Sequence, residues 1–210
     1  MSQEQKSAEW YAARAGKFTG SEIHKLMKSG RTKDKVFGDT AITYIMDKIA
    51  EVMTNGLSIK YKHFDSRATD WGNEQEPNAV KCYEDFTGMK VFQTGFAQYS
   101  DFFGASPDGL VGDDGLIEAK CPYNTINHVK HLLCQTPKDL PDEYYWQIQA
   151  EMLATGRKWC DFVSFDPRCT ERTCIKIMRI ERDEVIMDQL RERIELATAE
   201  MLRIIDTINQ

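Results

Sequence analysis

The chain has 210 residues, of which 41% are hydrophobic and 10% aromatic, and its formal net charge is −6. These values are typical of a folded domain with a sizeable core, and they exclude a long disordered chain. No apolar run is long enough to span a bilayer, and residues 1–6 lack the apolar centre of a secretory signal. We therefore expect one domain over residues 1–210, in the cytosol and away from membranes.

The first third of the chain is predicted to be helical. We expect a helix over residues 10–27, with Thr19 or Ser21 capping a second helical segment over 22–28, and a basic loop at 30–33. Apolar residues at helical spacing predict a further helix over 39–54, ended by an Asn-Gly pair. The next helix is expected to begin between 67 and 71 and to run to Phe86.

Strands and helices are predicted to alternate in the rest of the chain. The pattern predicts strands over 91–99, 102–106, 116–121, 159–165 and 174–180, with helices near 125–134, over 142–156 and from about 183 onwards. Helices around a small mixed central sheet predict an α/β or α+β fold. The near-heptad apolar spacing of the last helix favours core packing, with an oligomer contact as the alternative.

The cysteines and histidines do not form a metal-binding pattern. Six cysteines are scattered without a Cys-x-x-Cys pair, which is typical of reduced thiols and gives no support for a disulfide framework, a zinc site or an iron–sulfur cluster. His128 and His131 share a predicted helix face without a third ligand nearby, so we predict that they are surface or capping residues.

The charge distribution is uneven along the chain. Residues 1–35 carry eight Lys or Arg against four Asp or Glu, whereas residues 181–210 carry four against eight. An acidic total opposes binding to nucleic acids, but this asymmetry is compatible with a basic face that meets a substrate and an acidic face that does not. Two ordinary solvated faces are the alternative.

The strongest chemical signal lies in residues 106–120, which are predicted to form a strand, a tight glycine turn and a second strand. Side chains alternate along a strand, so Glu118 and Lys120 are expected on one face, and the turn can bring Asp108 towards Glu118. Two carboxylates beside a lysine are typical of an Mg²⁺ or Mn²⁺ site in a metal-dependent nuclease. The alternative is an exposed hairpin with a cross-strand salt bridge.

Other segments carry residues that a nuclease acting on duplex ends would use. In this order, the set resembles the lambda exonuclease family of phage recombination nucleases, also called YqaJ-type viral recombinases. The resemblance spans nearly the whole chain and rests on Trp10-Tyr11-Ala12-Ala13-Arg14-Ala15-Gly16, Ser21-Glu22, His24, Trp71-Gly72, Glu76, Ser106-Pro107-Asp108-Gly109-Leu110, Glu118-Ala119-Lys120-Cys121-Pro122, Gln147-Ile148-Gln149 and Asp166-Pro167-Arg168.

The resemblance implies a restriction-endonuclease-like PD-(D/E)XK core that digests one strand of linear double-stranded DNA. Digestion would depend on Mg²⁺, begin at a 5′-phosphorylated end and leave a 3′ single-stranded tail. The implied metal ligands are Asp108, Glu118 and the backbone carbonyl of Ala119, and the implied catalytic residues are Asp108, Glu118, Lys120 and Glu76. The implied 5′-phosphate ligands are Arg14, Ser21, Ser106 and Gln147, and Arg31 would guide the digested strand.

The resemblance also implies partners. Family members form closed trimeric rings and pass the tail to a phage single-strand annealing protein, so a homotrimer acting in the bacterial cytosol is expected. One departure is that Thr69-Asp70 precedes Trp71, where some members have an apolar strand-splitting wedge, and the wedge is left unassigned. The rival interpretations are a structure-selective endonuclease on the same fold and a non-catalytic DNA-end-binding recombination protein.

Overall fold

The computed structural model describes Gln5 and residues 7–28, 35–61 and 67–210, so the predicted basic loop with Arg31 lies outside the described residues. The α-helices are α1 (Ala8–Arg14), α2 (Asp39–Met53), α3 (Arg67–Thr87), α4 (Thr125–Leu133), α5 (Asp142–Thr155) and α6 (Glu184–Ile208). Short 3₁₀ helices occupy Gly20–Lys25, Leu57–Tyr61 and Pro137–Asp139. No described helix combines the length and the apolar character needed to cross a membrane.

The strands form two sheets. They are β1 (Phe18–Thr19), β2 (Val91–Phe92), β3 (Ala97–Ser100), β4 (Phe103–Ala105), β5 (Gly109–Val111), β6 (Gly115–Lys120), β7 (Trp159–Phe165) and β8 (Ile175–Glu181). The larger sheet has five strands in the order β2-β5-β6-β7-β8, and the smaller has three in the order β1-β4-β3. In the larger sheet only β6 and β7 are parallel, and α4 and α5 form the crossover that a parallel pair requires.

Strand β6 separates two hydrophobic cores. Leu116 packs into the larger core with residues of α2, α5 and α6, whereas Ile117 packs into a smaller core with Tyr83 of α3. Both faces of this mixed sheet are therefore covered by helices, which is the predicted α/β architecture. The alternation along β6 also sends Glu118 towards α5.

The predicted helix over residues 10–27 is wrong beyond Arg14. Gly16 has a φ of +71°, which ends the helix, and the chain then enters β1, which pairs in parallel with β4. Phe18 is fully buried, and the Gly16 amide donates a 3.0 Å hydrogen bond to the buried Glu51 carboxylate. Packing of this segment against the body of the protein thus outweighs its local helical pattern.

The predicted strand over residues 91–99 is divided between the two sheets, as β2 and β3. The ring of Phe96 lies between them against Gly104, where an added Cβ would come within 2.3 Å of the ring. The chain leaves the larger sheet where the Phe96 ring packs against β4. A continuous run of strand-forming residues does not predict this change of sheet. The later helices and strands match the predicted ranges to within a few residues, and α5 ends at Gly156 with a φ of +73°.

His128 and His131 are buried, so their prediction as surface or capping residues is wrong. Both Nδ1 atoms lie 2.8 Å from Oγ of Ser164, and Nε2 of His128 lies 2.7 Å from the carbonyl oxygen of Thr173. A carbonyl only accepts, so neutral His128 carries its proton on Nε2 and accepts from Ser164, which in turn accepts from Nδ1 of His131. The pair is a structural hydrogen-bond chain, and within the described residues it belongs to no metal-ligand group.

In α6 the near-heptad apolar positions are buried from the first turn onwards, which confirms the core-packing interpretation for most of the helix; they are Met187, Leu190, Ile194, Ala197 and Met201. Ile208, the last of the predicted series, is 49% exposed. All six cysteines are free thiols, as predicted.

Candidate active site

Asp108 and strand β6 form the centre of the predicted site. Asp108 directly precedes β5, and its Oδ2 accepts a 2.7 Å hydrogen bond from the backbone amide of Ala119. The antiparallel pairing sets Gly109 opposite Ile117, which brings Asp108 beside Glu118 as the sequence predicts. A side chain at Gly109 would not fit, because an added Cβ would come within 2.3 Å of Val91.

Glu118 and Lys120 share a face of β6, as predicted. Nζ of Lys120 donates to Oε1 of Glu118 over 2.5 Å, and Glu118 is only 2% exposed. The exposed hairpin with a surface salt bridge is therefore not what forms. Oε2 of Glu118 is buried, and within the described residues no donor reaches it.

The electrostatics of this cluster are strained. Burial, followed by the charges of Glu118 and Glu76, holds the pKa of the Asp108 carboxyl well above its usual range. Burial lowers the pKa of Lys120, but the carboxylates of Glu118 and Asp108 outweigh that effect, so the net pKa is raised and the ammonium stays charged. The cluster thus contains more negative charge than its single lysine offsets.

Helix α5 closes the cluster from the side of the larger core. Nε2 of Gln147 donates to Oε1 of Glu118 over 2.7 Å and to Oε1 of Glu151 over 2.8 Å. The amide oxygen of Gln147 accepts from Nζ of Lys120 over 3.1 Å. The prediction set Gln147 in the 5′-phosphate pocket, but its hydrogen bonds join it to the carboxylates and the lysine.

Sequence reasoning missed Glu151, which is 1% exposed and has an Oε2 without a partner among the described residues. Burial, then the charge of Glu118, raises the pKa of its carboxyl well above the usual range. A signal was present, since Glu151 follows Gln147 by four positions and residues so spaced lie on one helix face.

Glu76 approaches the cluster from α3. Its charge is among the causes that raise the pKa of Asp108, and it also acts on the Cys121 thiol, whose pKa is raised to about 12 by burial and then by Asp108 and Glu76. Glu76 therefore acts electrostatically on Asp108, which is compatible with the predicted role of a residue that joins the site from the third helix.

Arg14 and Ser106 form a second polar site. Ser106 lies two residues before Asp108, and Arg14 reaches it from α1. Oγ of Ser106 accepts from Nη1 of Arg14 over 3.2 Å and from Nε1 of Trp10 over 3.0 Å. The guanidinium carbon of Arg14 lies 4.0 Å from the centre of the Trp10 ring, a cation–π contact that helps to hold the side chain in place. Burial lowers the pKa of Arg14, although arginine remains charged at neutral pH.

Ser21 lies on the exposed surface of the 3₁₀ helix, with Oγ 3.5 Å from Oγ1 of Thr19. Its segment packs on α5: an added Cβ on Gly20 would lie 3.6 Å from Cγ of Glu151. This packing brings the first part of the chain against the helix that carries Gln147. Arg14 and Ser106 are thus in direct contact. Ser21 is hydrogen-bonded to neither of them in the described residues, but its 3₁₀ helix packs against α5, which carries Gln147.

The donor set fits a hard divalent cation. The raised pKa of Asp108 and the partnerless Oε2 of Glu118 both mark a place where positive charge is missing. In the described part of the chain no three Asp, Glu, His or Cys side chains form a complete ligand group. Mg²⁺ typically does not require three protein side chains, because it binds one or two carboxylates and completes its coordination shell with water and substrate phosphate.

Asp166 and Arg168 support the site from behind. The guanidinium of Arg168 grips the buried Asp166 carboxylate through Nε over 2.7 Å and Nη2 over 2.8 Å. Nη2 also donates to the carbonyl oxygens of Pro122 and Tyr123, which follow β6. The guanidinium carbon lies 4.5 Å from the ring centre of Trp71 on α3. This contact set ties the end of β6 to α3.

The mixed sheet with its flanking helices, and a carboxylate–lysine cluster formed by Asp108 and the end of β6, define a nuclease core of the restriction-endonuclease-like PD-(D/E)XK type. The model of the YqaJ-like viral recombinase domain matches residues 9–158, a range that includes every predicted site residue. The chain belongs to this family.

Solved structures agree with this assignment. An alkaline exonuclease, LHK-Exo from Laribacter hongkongensis, is 35% identical over 97% of this chain and 96% of that chain, with a TM-score of 0.82. Its complex with dAMP matches at 34% identity over 96% of both chains, with a TM-score of 0.83. A phage-related exonuclease from Haemophilus somnus 129PT shares the fold at 20% identity, over 91% of this chain and 96% of that chain, with a TM-score of 0.69. A search of curated proteins found no match.

Proposed function

We propose that this chain is a Mg²⁺-dependent exonuclease that digests one strand of linear double-stranded DNA in the 5′-to-3′ direction from 5′-phosphorylated ends. The observation that carries the proposal is the adjacency of two sites on one short segment. Ser106 accepts a hydrogen bond from Arg14, and Asp108 accepts one from the backbone amide of Ala119 on β6, next to Glu118. An anion-binding pair next to a hydrolytic cluster suits an enzyme that recognises a terminal phosphate and cuts nearby.

Asp108, Glu118 and the backbone carbonyl of Ala119 would hold the metal ion, with Mn²⁺ as a substitute. When bound, the ion supplies positive charge at the scissile phosphate and lowers the pKa of a coordinated water. Glu76, whose charge acts on Asp108, would join the metal shell through water. The dAMP bound by LHK-Exo supports a site that accommodates a nucleoside monophosphate.

Lys120 would orient the attacking water and stabilise the charge that develops on the phosphate. The carboxylates of Glu118 and Asp108 raise its pKa in spite of burial, which favours the charged ammonium and supports an electrostatic role. Gln147 accepts from Lys120 and holds the ammonium in place. Lys120→Ala is therefore expected to reduce cleavage about 10²- to 10³-fold without abolishing DNA binding.

Arg14 and Ser106 would bind the 5′-terminal phosphate, with Ser21 as a further neutral donor and Gln147 linking this pocket to the cluster. Arg31 is proposed to guide the strand being digested. An arginine held against the Trp10 ring can offer two parallel N–H groups to one phosphate.

The family resemblance supports a homotrimeric ring and transfer of the 3′ tail to a phage single-strand annealing protein in the bacterial cytosol. Light scattering on the purified protein tests the trimer.

The decisive experiment uses linear duplex DNA labelled separately at each end, with 5′-phosphate or 5′-hydroxyl termini, in Mg²⁺ or EDTA. Mg²⁺-dependent release of 5′ mononucleotides, faster from phosphorylated ends and absent on closed circles, is the expected result. Cuts within circular DNA would identify an endonuclease, and binding without cleavage would identify an end-binding protein; either result overturns the proposal.

A further inference from the structure

Glu151 is a buried acid to which the proposed reaction gives no role. It is 1% exposed, and the one hydrogen bond that reaches its carboxyl comes, within the described residues, from Nε2 of Gln147. A buried carboxyl with an oxygen that no donor reaches costs stability, and an apolar residue of similar volume would avoid this cost. A costly group next to a reactive site suggests that the site uses it.

The contacts of Gln147 show what Glu151 can do. Both hydrogens of the carboxamide are used, one by Glu118 and one by Glu151, at 2.7 and 2.8 Å. This leaves the amide oxygen facing Nζ of Lys120 at 3.1 Å. An ammonium group only donates, so a flipped carboxamide would place donor against donor. The hydrogen bond from Nε2 of Gln147 to Glu151 therefore favours the same carboxamide orientation that presents the amide oxygen to Lys120.

The position of Glu151 is itself fixed by packing. Gly20 of the 3₁₀ helix lies directly against it, since an added Cβ would meet Cγ of Glu151 at 3.6 Å and Cβ of Ala105 at 3.0 Å. Glu151 is also one helical turn from Gln147 on α5, so both side chains leave the same rigid helix. Glu151 is therefore held in place both by the 3₁₀ helix packed against it and by the backbone of α5, so it can hold Gln147 in a fixed position.

We propose that Glu151 is a positioning residue for the nuclease reaction, which holds the Gln147 carboxamide in the orientation that presents its oxygen to Lys120. Glu151 touches neither the substrate nor the scissile bond, and it acts only through Gln147. The inference rests on the proposed function, because the role of Lys120 is defined there.

The kinetic test uses Glu151→Met, which keeps the volume of the side chain and lacks a strong acceptor. The expected result is a drop of about 10- to 100-fold in the single-turnover cleavage rate, with unchanged affinity for 5′-phosphorylated duplex in EDTA. Glu151→Gln, whose amide oxygen can accept from Gln147, should restore most of the rate. An unchanged rate in Glu151→Met, or equal losses in both variants, would overturn the inference.

A double-mutant cycle separates action through Gln147 from a direct effect. In a Gln147→Ala background, Glu151→Met should cost nothing further, because the group that it positions is gone. Additive losses would show that Glu151 acts by another route. Gln149→Ala is the matched control, since this buried glutamine of α5 instead contacts the carbonyl oxygen of Glu181 and the amide of Asp183. It should lower stability while leaving the cleavage rate of the folded enzyme unchanged.

A readout without catalysis keeps the inference distinct from the proposed function. In protein labelled with ¹⁵N-glutamine, the Gln147 side-chain amide signals should shift in Glu151→Met and stay near their native positions in Glu151→Gln. If the wild type cleaves no DNA, the proposed function fails, whereas this spectrum still reports whether Glu151 orients Gln147. Gln147 signals that are unchanged in Glu151→Met would refute the positioning role directly.

Discussion

The backbone amide of Ala119 donates a 2.7 Å hydrogen bond to Oδ2 of Asp108. This bond anchors the Asp108 carboxylate near the C-terminal end of β6, between Glu118 and Lys120, although Asp108 itself lies outside any strand. The peptide of Ala119 therefore contributes to the site before any ligand binds. It also keeps Asp108 beside carboxylates that would otherwise repel it.

Asp108→Asn should separate stability from activity. The asparagine oxygen can still accept from Ala119, but a carboxyl whose pKa is raised by burial and by Glu118 and Glu76 is replaced by a neutral group. We expect cleavage to fall by about 10²- to 10³-fold while the melting temperature in EDTA rises by a few degrees. Activity assays and calorimetry on the same preparation test both parts, and native-level turnover would contradict the assigned role.

Arg14→Ala should act selectively on phosphorylated ends. Loss of a charged hydrogen-bond donor to phosphate costs about 2 kcal/mol, or roughly 30-fold in affinity or initial rate. Ends that carry a 5′-hydroxyl should be affected far less. The matched control is Lys17→Ala, because this nearby cation donates to the carbonyl oxygen of Asp101 on an exposed surface. Equal losses of activity on both kinds of end would argue against a phosphate pocket at Arg14.

Arg168→Ala should weaken the protein in a pH-dependent manner. Hydrogen bonds from Arg168 lower the pKa of Asp166 to about 2, against an ordinary value of 3.8. A carboxyl whose pKa is lowered by folding stabilises the protein fully above the pKa that it has in the unfolded chain. This stabilisation is lost as the pH falls through the pKa that it has in the folded protein. Because Arg168 is half-exposed, we expect a loss of about 1–2 kcal/mol at pH 7 that shrinks between pH 4 and pH 2.

Denaturant unfolding across this pH range measures the difference between wild type and Arg168→Ala. Arg172→Ala, a change at an exposed neighbouring arginine, is the control and should leave stability almost unchanged. A difference that is constant with pH would show that the Asp166 contact does not carry the effect.

His131 should make the protein sensitive to mild acid. Burial, then the electrostatic effect of the neighbouring His128, lowers the pKa of His131 from 6.5 to about 4. Between these values the unfolded chain binds the proton more readily, so stability falls as the pH decreases from 6.5 towards 4, by up to about 1.4 kcal/mol per pH unit for one group. His131→Asn, which can still donate to Ser164, should be less stable at pH 7 and lose less on acidification. Parallel pH curves for the two proteins would contradict this assignment.

The sequence predicts the hairpin that carries Asp108, Glu118 and Lys120, because its pattern is local: a glycine turn and strict alternation of faces determine the geometry within fifteen residues. Most helices are predicted for the same reason, since caps such as Asp183 and Gly156 stand at their ends. The contact between Arg14 and Ser106 follows from the family resemblance and not from spacing, because 92 positions separate these residues.

The features that sequence reasoning missed depend on tertiary packing. Strand β1 has two residues, both buried, and nothing in a helical pattern of residues shows that they will pair with β4. The histidines of α4 are polar residues on a short helix, and their burial depends on Ser164, more than thirty positions away. Glu151 is marked in the sequence by its four-residue spacing from Gln147 alone, and its burial in a stretch of seven buried residues of α5 depends on tertiary packing.

Pro107 alone separates Ser106 from Asp108, and two Cα–Cα steps span at most ~7 Å. In the proposed exonuclease, the grip on the terminal phosphate and the cleavage of the next bond therefore share one piece of covalent backbone. In that enzyme the short covalent interval between Ser106 and Asp108 would fix the spacing between the bound terminal phosphate and the bond that is cut, so that the size of each released product would be set by the polypeptide and not by the base sequence.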